Sequence, residues 1–166
     1  PGQHEVDSYY NVSTTDLDGV FAVEVKEQVD GILAYASDPA ALPAAIVAER
    51  LGLPTTPVAT VETLGVKHKF RDFLEQNGFP CPKHIAFRPT DDIAEIKERL
   101  ARLRYPIIVK PTDSSGSKGV TKLLDNTGLE TVIAYADTFS RNKTLIAEEF
   151  IERGFPDVIG GDIFVS

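Results

Sequence analysis

The sequence predicts two architectures in one chain, an α/β segment on an open parallel sheet followed by an α+β segment on an antiparallel one. Three observations carry this. Residues 7–58 alternate short β-rich runs with runs of helical period. Residues 84–151 follow the order strand, helix, strand, strand, helix, strand. The 166 residues are 42% hydrophobic and 25% charged, a balance that supplies a core and excludes a disordered tail.

Residues 7–13 mix aromatic and β-branched side chains and read as a short strand. Residues 14–18 offer a cap for a helix carrying Phe21, Ala22, Val25 and Val29. Residues 30–36 form a compact apolar run suited to a strand buried on both faces. Ser37-Asp38-Pro39 then starts a helix with Leu42, Ile46, Val47 and Leu51 on its apolar side, closed by Gly52. The first strand–helix unit of such a sheet is missing. Methionine is absent even from position 1, so the chain is expected to be an excised fragment or to have lost methionines from its sequence.

Residues 60–65 read as a connector and 66–76 as a helix with Phe70, Phe73 and Leu74 on one face. Asn77-Gly78 stops it, and Pro80-Cys81-Pro82 prevents its resumption. Strands are expected at 84–87, 105–110, 119–124 and 144–151, with a last one opening at 161–165. Thr90 or Asp91 is expected to cap a helix through Ile93, Ile96, Leu100 and Leu103. Thr127 is expected to cap another with Leu129, Val132, Ile133 and Ala136.

Composition excludes some functions. No apolar run approaches the roughly 18 residues that span a bilayer. Seventeen Lys and Arg against 25 Asp and Glu leave a net charge of −8, the wrong sign for a nucleic-acid-binding face. A single nucleotide needs only a few placed cations, so that ligand stays open. One cysteine, Cys81, and no signal peptide point to a cytoplasmic setting. His4, His68 and His84 show no metal-ligand spacing. Asp91, Asp92 and Glu95 read as helix N-terminal charges.

The chemistry concentrates between Lys110 and Val120. Ser114-Ser115-Gly116-Ser117-Lys118-Gly119 lies between two strands, and its small side chains let backbone N–H groups approach phosphate oxygens. It is not a Walker loop. A solvated hairpin turn is the rival reading. Lys110 ends an apolar strand, where a lysine is costly unless an anion meets it. That anion is either a ligand phosphate or a nearby acid such as Asp113. Ala147-Glu148-Glu149-Phe150-Ile151 is an apolar strand broken by two acids on opposite faces. One acid can accept from an adenine amino group, or both are solvated at a strand end.

Taken together, Lys67-His68-Lys69-Phe70-Arg71, Gly78-Phe79-Pro80-Cys81-Pro82, Tyr105-Pro106-Ile107-Ile108-Val109-Lys110-Pro111, the loop and Glu148-Glu149-Phe150-Ile151 resemble the ATP-grasp superfamily in order and spacing over about residues 60–166. Within it, Lys110-Pro111-Thr112-Asp113-Ser114-Ser115-Gly116 is most similar to the carbamoyl phosphate synthetase large subunits and biotin carboxylases. The resemblance implies a partial Rossmann-like pre-ATP-grasp domain at 1–59 and a connector and helix at 60–83. It further implies a lid subdomain at 84–147, and a hinge with the start of the ATP-grasp core at 148–166. It implies that Lys67 and Lys110 contact nucleotide phosphates and that Ser115, Gly116, Ser117, Lys118 and Gly119 cover them. Glu148, Glu149 and Ile151 would form the adenine hinge, with Asp157 or Asp162 near the ribose.

The same resemblance implies an ADP-forming ligase that joins a small carboxylate to an amine or thiol through an acyl phosphate. It uses ATP and Mg2+, with the magnesium ligands and catalytic groups expected beyond Ser166, so the fragment is expected to be inactive alone. Neither nucleic acid nor membrane is an expected partner, and a homodimer of the full-length protein is allowed. Two alternatives stand beside this. One is a bicarbonate-activating carboxylase or carbamoyl-phosphate-type enzyme, and the other a non-catalytic nucleotide-binding module.

Overall fold

A computed structural model describes residues 4–152. The carboxy-terminal half of this span is built on one four-stranded sheet. Its strands are β1 (His84–Phe87), β2 (Ile107–Pro111), β3 (Thr121–Leu123) and β4 (Leu145–Glu149), in the spatial order β1-β4-β2-β3. Every neighbouring pair is antiparallel. The expected strand–helix order over 84–151 is therefore present, with antiparallel pairing throughout. The strand expected at 161–165 lies outside the described residues.

Alternation along the two central strands divides their side chains between two faces. Ile107 and Val109 of β2, with Leu145 and Ala147 of β4, enter the core. Helices α5 (Ile93–Leu100) and α6 (Leu129–Asp137) cover that face through Ile96, Leu100, Leu129 and Ile133. Ile96 and Leu100 are four apart, as one helical stripe requires. Asp92, not Thr90 or Asp91, caps α5, accepting from Ala94 N at 2.8 Å and Glu95 N at 3.1 Å. Asp91 instead closes the preceding turn by accepting from Arg88 N. Gly128, in the left-handed region, stands at the start of α6 where Thr127 was expected; the Thr127 N–H is given to Asp125.

The amino-terminal part is helical: α1 (Leu17–Glu27), α2 (Asp38–Leu51), α3 (Val58–Gly65) and α4 (Lys67–Gln76). Asp16 caps α1 through Gly19 N, and Gly52 closes α2 at φ +68°. The two strands expected at 7–13 and 30–36 do not form. No described strand lies beside them to complete a ladder, and Leu33 and Tyr35 are more than four-fifths exposed, the reverse of the burial expected. The apolar side of α1 is likewise not buried. The stretch read as a connector at 60–65 is the body of α3.

Helix α4 is tied to the sheet at its start and at its middle. Its first residue, Lys67, donates its backbone N–H to Thr112 O just past β2, at 2.9 Å. Further along, Asp72 Oδ1 stands 2.9 Å from His84 Nε2 on β1. These anchors lay α4 against the sheet.

Candidate nucleotide-phosphate site

The face of the sheet opposite α5 and α6 carries the charges. Lys110 and Ile108 of β2 point there, as do Ile146 and Glu148 of β4, each alternating with core residues. Glu148 is only 5% exposed. One of its oxygens, Oε1, accepts from Lys110 Nζ, and the other, Oε2, accepts from Arg71 Nε at 2.8 Å. The anion that meets Lys110 is thus Glu148, across the strand pair, rather than Asp113. The sequence reading placed Glu148 as an acceptor for adenine; in the described structure both its oxygens are engaged by cations.

Helix α4 supplies two of the three cations. Lys67 and Arg71 are four residues apart and share a helix face. Lys67 Nζ reaches the loop after β2 and donates to Ser114 O at 2.5 Å. Burial lowers the Lys67 ammonium below the usual lysine range, opposed by Asp113 and Asp38. Lys110 is pushed down further, to about 8, by burial first and then by the positive charges of Arg71 and Lys67. Two cations thus share one buried carboxylate, and Lys67 adds a third positive charge close enough to lower Lys110.

Asp113 has another task. Its carboxylate accepts from the backbone N–H groups of Arg141 at 3.0 Å and Asn142 at 2.7 Å, and the Arg141 guanidinium donates to its carbonyl. Asn142 in turn donates its side-chain amide to Thr112 Oγ1 at 2.8 Å, and Thr112 is fully buried. This clamp joins the exit of β2 to the entry of β4 and fixes the base of the loop.

The loop itself bends through Gly116, Ser117 and Gly119, all at positive φ. Ser114 Oγ donates to Lys118 O at 2.9 Å, closing the turn, while Gly116, Ser117 and Lys118 remain exposed. Gly119 is fixed by packing as well as backbone, because a Cβ there would lie 2.9 Å from the Pro111 ring and 3.1 Å from Phe139.

The remaining expected residues sit apart from this cluster. Glu149 lies on the opposite face and accepts from Arg104 N at 2.9 Å. With Ile151, Tyr105 and Pro106 it borders a hollow of about 770 Å3 at the end of the sheet. The side chain of Ile151 is largely exposed there. Asp157 and Asp162 lie outside the described residues. Among the described residues no group of three or more His, Cys, Asp or Glu side chains could hold a metal ion. Arg71 and the clamp of Thr112, Asp113, Arg141 and Asn142 had no role assigned from sequence. The four-residue spacing from Lys67 is the signal that points to Arg71.

Residues 48–156 match the family model described as D-ala D-ala ligase C-terminus. The chain belongs to this family of ATP-grasp proteins. Two relatives carry the likeness further. One is a phosphoribosylamine–glycine ligase of Pyrococcus abyssi (strain GE5 / Orsay), 34% identical over an alignment of 125 positions, which covers 72% of this chain and 28% of that protein. The other is a carbamoyl phosphate synthase large chain of Streptomyces avermitilis, 26% identical over 61% of this chain and 9% of its own.

Among solved structures, an L-amino acid ligase from Bacillus licheniformis is 30% identical with a TM-score of 0.59, over 81% of this chain and 29% of that one. The biotin carboxylase domain of the Hydrogenobacter thermophilus 2-oxoglutarate carboxylase, solved with MgADP, ADP and bicarbonate, has a TM-score of 0.70. It covers 90% of this chain and 36% of that one, and at 15% identity it speaks for the fold alone. The ATP-grasp chain thus spans about a third or less of the length of these proteins. Its small antiparallel sheet and two core helices fit the partial ATP-grasp fold that the sequence pointed to.

Proposed function

We propose that this chain is the nucleotide-binding part of an ATP-dependent ligase that joins a small carboxylate to an amine or thiol through an acyl phosphate. The observation that supports it best is the sharing of one buried carboxylate by Lys110 and Arg71, with Lys67 held at the base of a loop of small residues at positive φ. Surplus positive charge at low exposure, next to backbone N–H groups, suits an anion whose charge is spread over several oxygens. A nucleoside di- or triphosphate is such an anion.

ATP, when bound, supplies the phosphoryl group that activates the carboxylate. The chain's own residues bind and orient. Lys110 exchanges Glu148 for phosphate oxygens, Lys67 exchanges Ser114 O for them at the loop base, and the loop covers the phosphates and excludes water. Magnesium would neutralise phosphate charge beside these residues, and among the described residues no group of three or more His, Cys, Asp or Glu side chains could hold it. The choice of a carboxylate–amine ligase is supported by the likeness to a phosphoribosylamine–glycine ligase at 34% identity.

The intact gene product, given ATP and magnesium, is expected to release ADP when offered the right pair from a panel of carboxylates and amines or thiols. Release stimulated by bicarbonate, with no carboxylate–amine pair active, would replace this reading with the bicarbonate-activating one. No stimulated release, with nucleotide bound, would make the protein a binding module.

A further inference from the structure

Arg71 is the cation in the cluster with no task of its own toward a ligand. Its side chain is 25% exposed and lies along α4 with its Nε against Glu148 Oε2 at 2.8 Å. Lys110, 16% exposed, takes the other oxygen of the same carboxylate. The carboxylate is therefore shared, one oxygen to each cation.

This sharing has a consequence for any anion that draws Lys110 away. Without Arg71, departure of Lys110 would leave Glu148 buried, charged and unpaired, a condition that opposes binding strongly. With Arg71 in place, Glu148 keeps a counter-ion whether Lys110 faces it or faces a phosphate. We propose that Arg71 is a positioning residue of the nucleotide site, holding one oxygen of Glu148 so that Lys110 is free to exchange that carboxylate for a nucleotide phosphate. The inference rests on the nucleotide-binding reading above.

The surroundings of Lys110 give the idea a signature that a structural ion pair lacks. Glu148 faces Lys110 from β4, Lys67 and Arg71 from α4, and Asp113 lies three residues on in the following loop. In the neighbouring row of the same face stand Lys122 of β3 and His84 of β1, the latter paired with Asp72. Burial and the nearby positive charges hold Lys110 at about 8. A phosphate partner favours the protonated ammonium, so binding takes up a proton once the pH exceeds that value. Affinity is then undiminished below about 8 and falls as pH rises through it. Removing the Arg71 charge raises the lysine and moves the fall to higher pH.

The test is a double-mutant cycle on the intact gene product with ADP as the probe, measured calorimetrically from pH 6.5 to 9.5. Arg71→Gln is expected to weaken ADP binding at pH 7 by roughly tenfold, and Arg71→Lys to restore most of it. In a Glu148→Gln background, Arg71→Gln should change affinity by less than about twofold, because its effect passes through the carboxylate. The gap between wild type and Arg71→Gln should narrow above pH 8. Equal losses in both backgrounds, or a gap independent of pH, would overturn the proposal. Titration of lysines carrying 13C at Cε, with no nucleotide present, gives a separate readout: Lys110 should titrate higher in Arg71→Gln than in wild type. An unmoved Lys110 overturns the inference even if ADP binds. Failure of wild type to bind ADP while Lys110 moves as expected would instead strike the nucleotide reading. Melting curves for each variant identify loss of fold.

Discussion

Gly116 and Gly119 stand three residues apart in the same loop, at φ +64° and +71°, yet they do different work. Space is open around Gly116, so an alanine there meets only the left-handed backbone penalty, roughly 1–2 kcal/mol. A Cβ at Gly119 would meet the same penalty and also press on the Pro111 ring at 2.9 Å and on Phe139. Since Pro111 follows Lys110 directly, that pressure is transmitted to the strand end that presents the lysine. Gly119→Ala is therefore expected to cost more in stability than Gly116→Ala, by roughly 1–3 kcal/mol in chemical denaturation. It should also weaken ADP binding, whereas Gly116→Ala should leave the strand end intact. Equal midpoints for the two variants would remove the packing role given to Gly119.

At the scale of elements, the site depends on how three ends meet: the start of α4, the exit of β2 and the entry of β4. Thr112 joins all three, its carbonyl accepting from Lys67 N, its N–H donating to Thr144 O, and its hydroxyl meeting Asn142. Thr112→Val keeps the shape and removes the buried hydroxyl that accepts from the side-chain amide of Asn142, an exposed residue whose amide can turn to water instead. We expect a loss of roughly 0.5–1.5 kcal/mol in unfolding free energy, read from denaturant titrations, with a parallel fall in ADP affinity. An unchanged affinity would separate the clamp from the site.

These junctions explain what could be read from sequence. The core stripes of α5 and α6 and the four strands were legible because period and burial agree there. Lys110 stood out because a lysine among Ile and Val has few bland explanations. Its partner did not, since Glu148 is 38 residues away and only the β2–β4 register brings them together. The run at 30–36 misled for the opposite reason. Apolar character alone suggested a strand, but a strand needs a neighbour, and none of the described residues provides one.

For the molecule as a whole, a net charge of −8 coexists with a small cationic face. Long-range attraction therefore does not favour polyanions, and the local cluster must hold its ligand through direct contacts over short distances, where ionic screening is weaker. The central claim is that Lys110 and Lys67, brought to one face by α4 and β2, grip nucleotide phosphates. The most direct measurement is calorimetric titration of the intact gene product with ADP at pH 7, comparing wild type, Lys110→Ala and Lys67→Ala. Binding by wild type and a roughly 10- to 100-fold loss in each variant is the expected result. Wild-type protein that binds no ADP, or folded variants that bind it as tightly as wild type, would contradict the account.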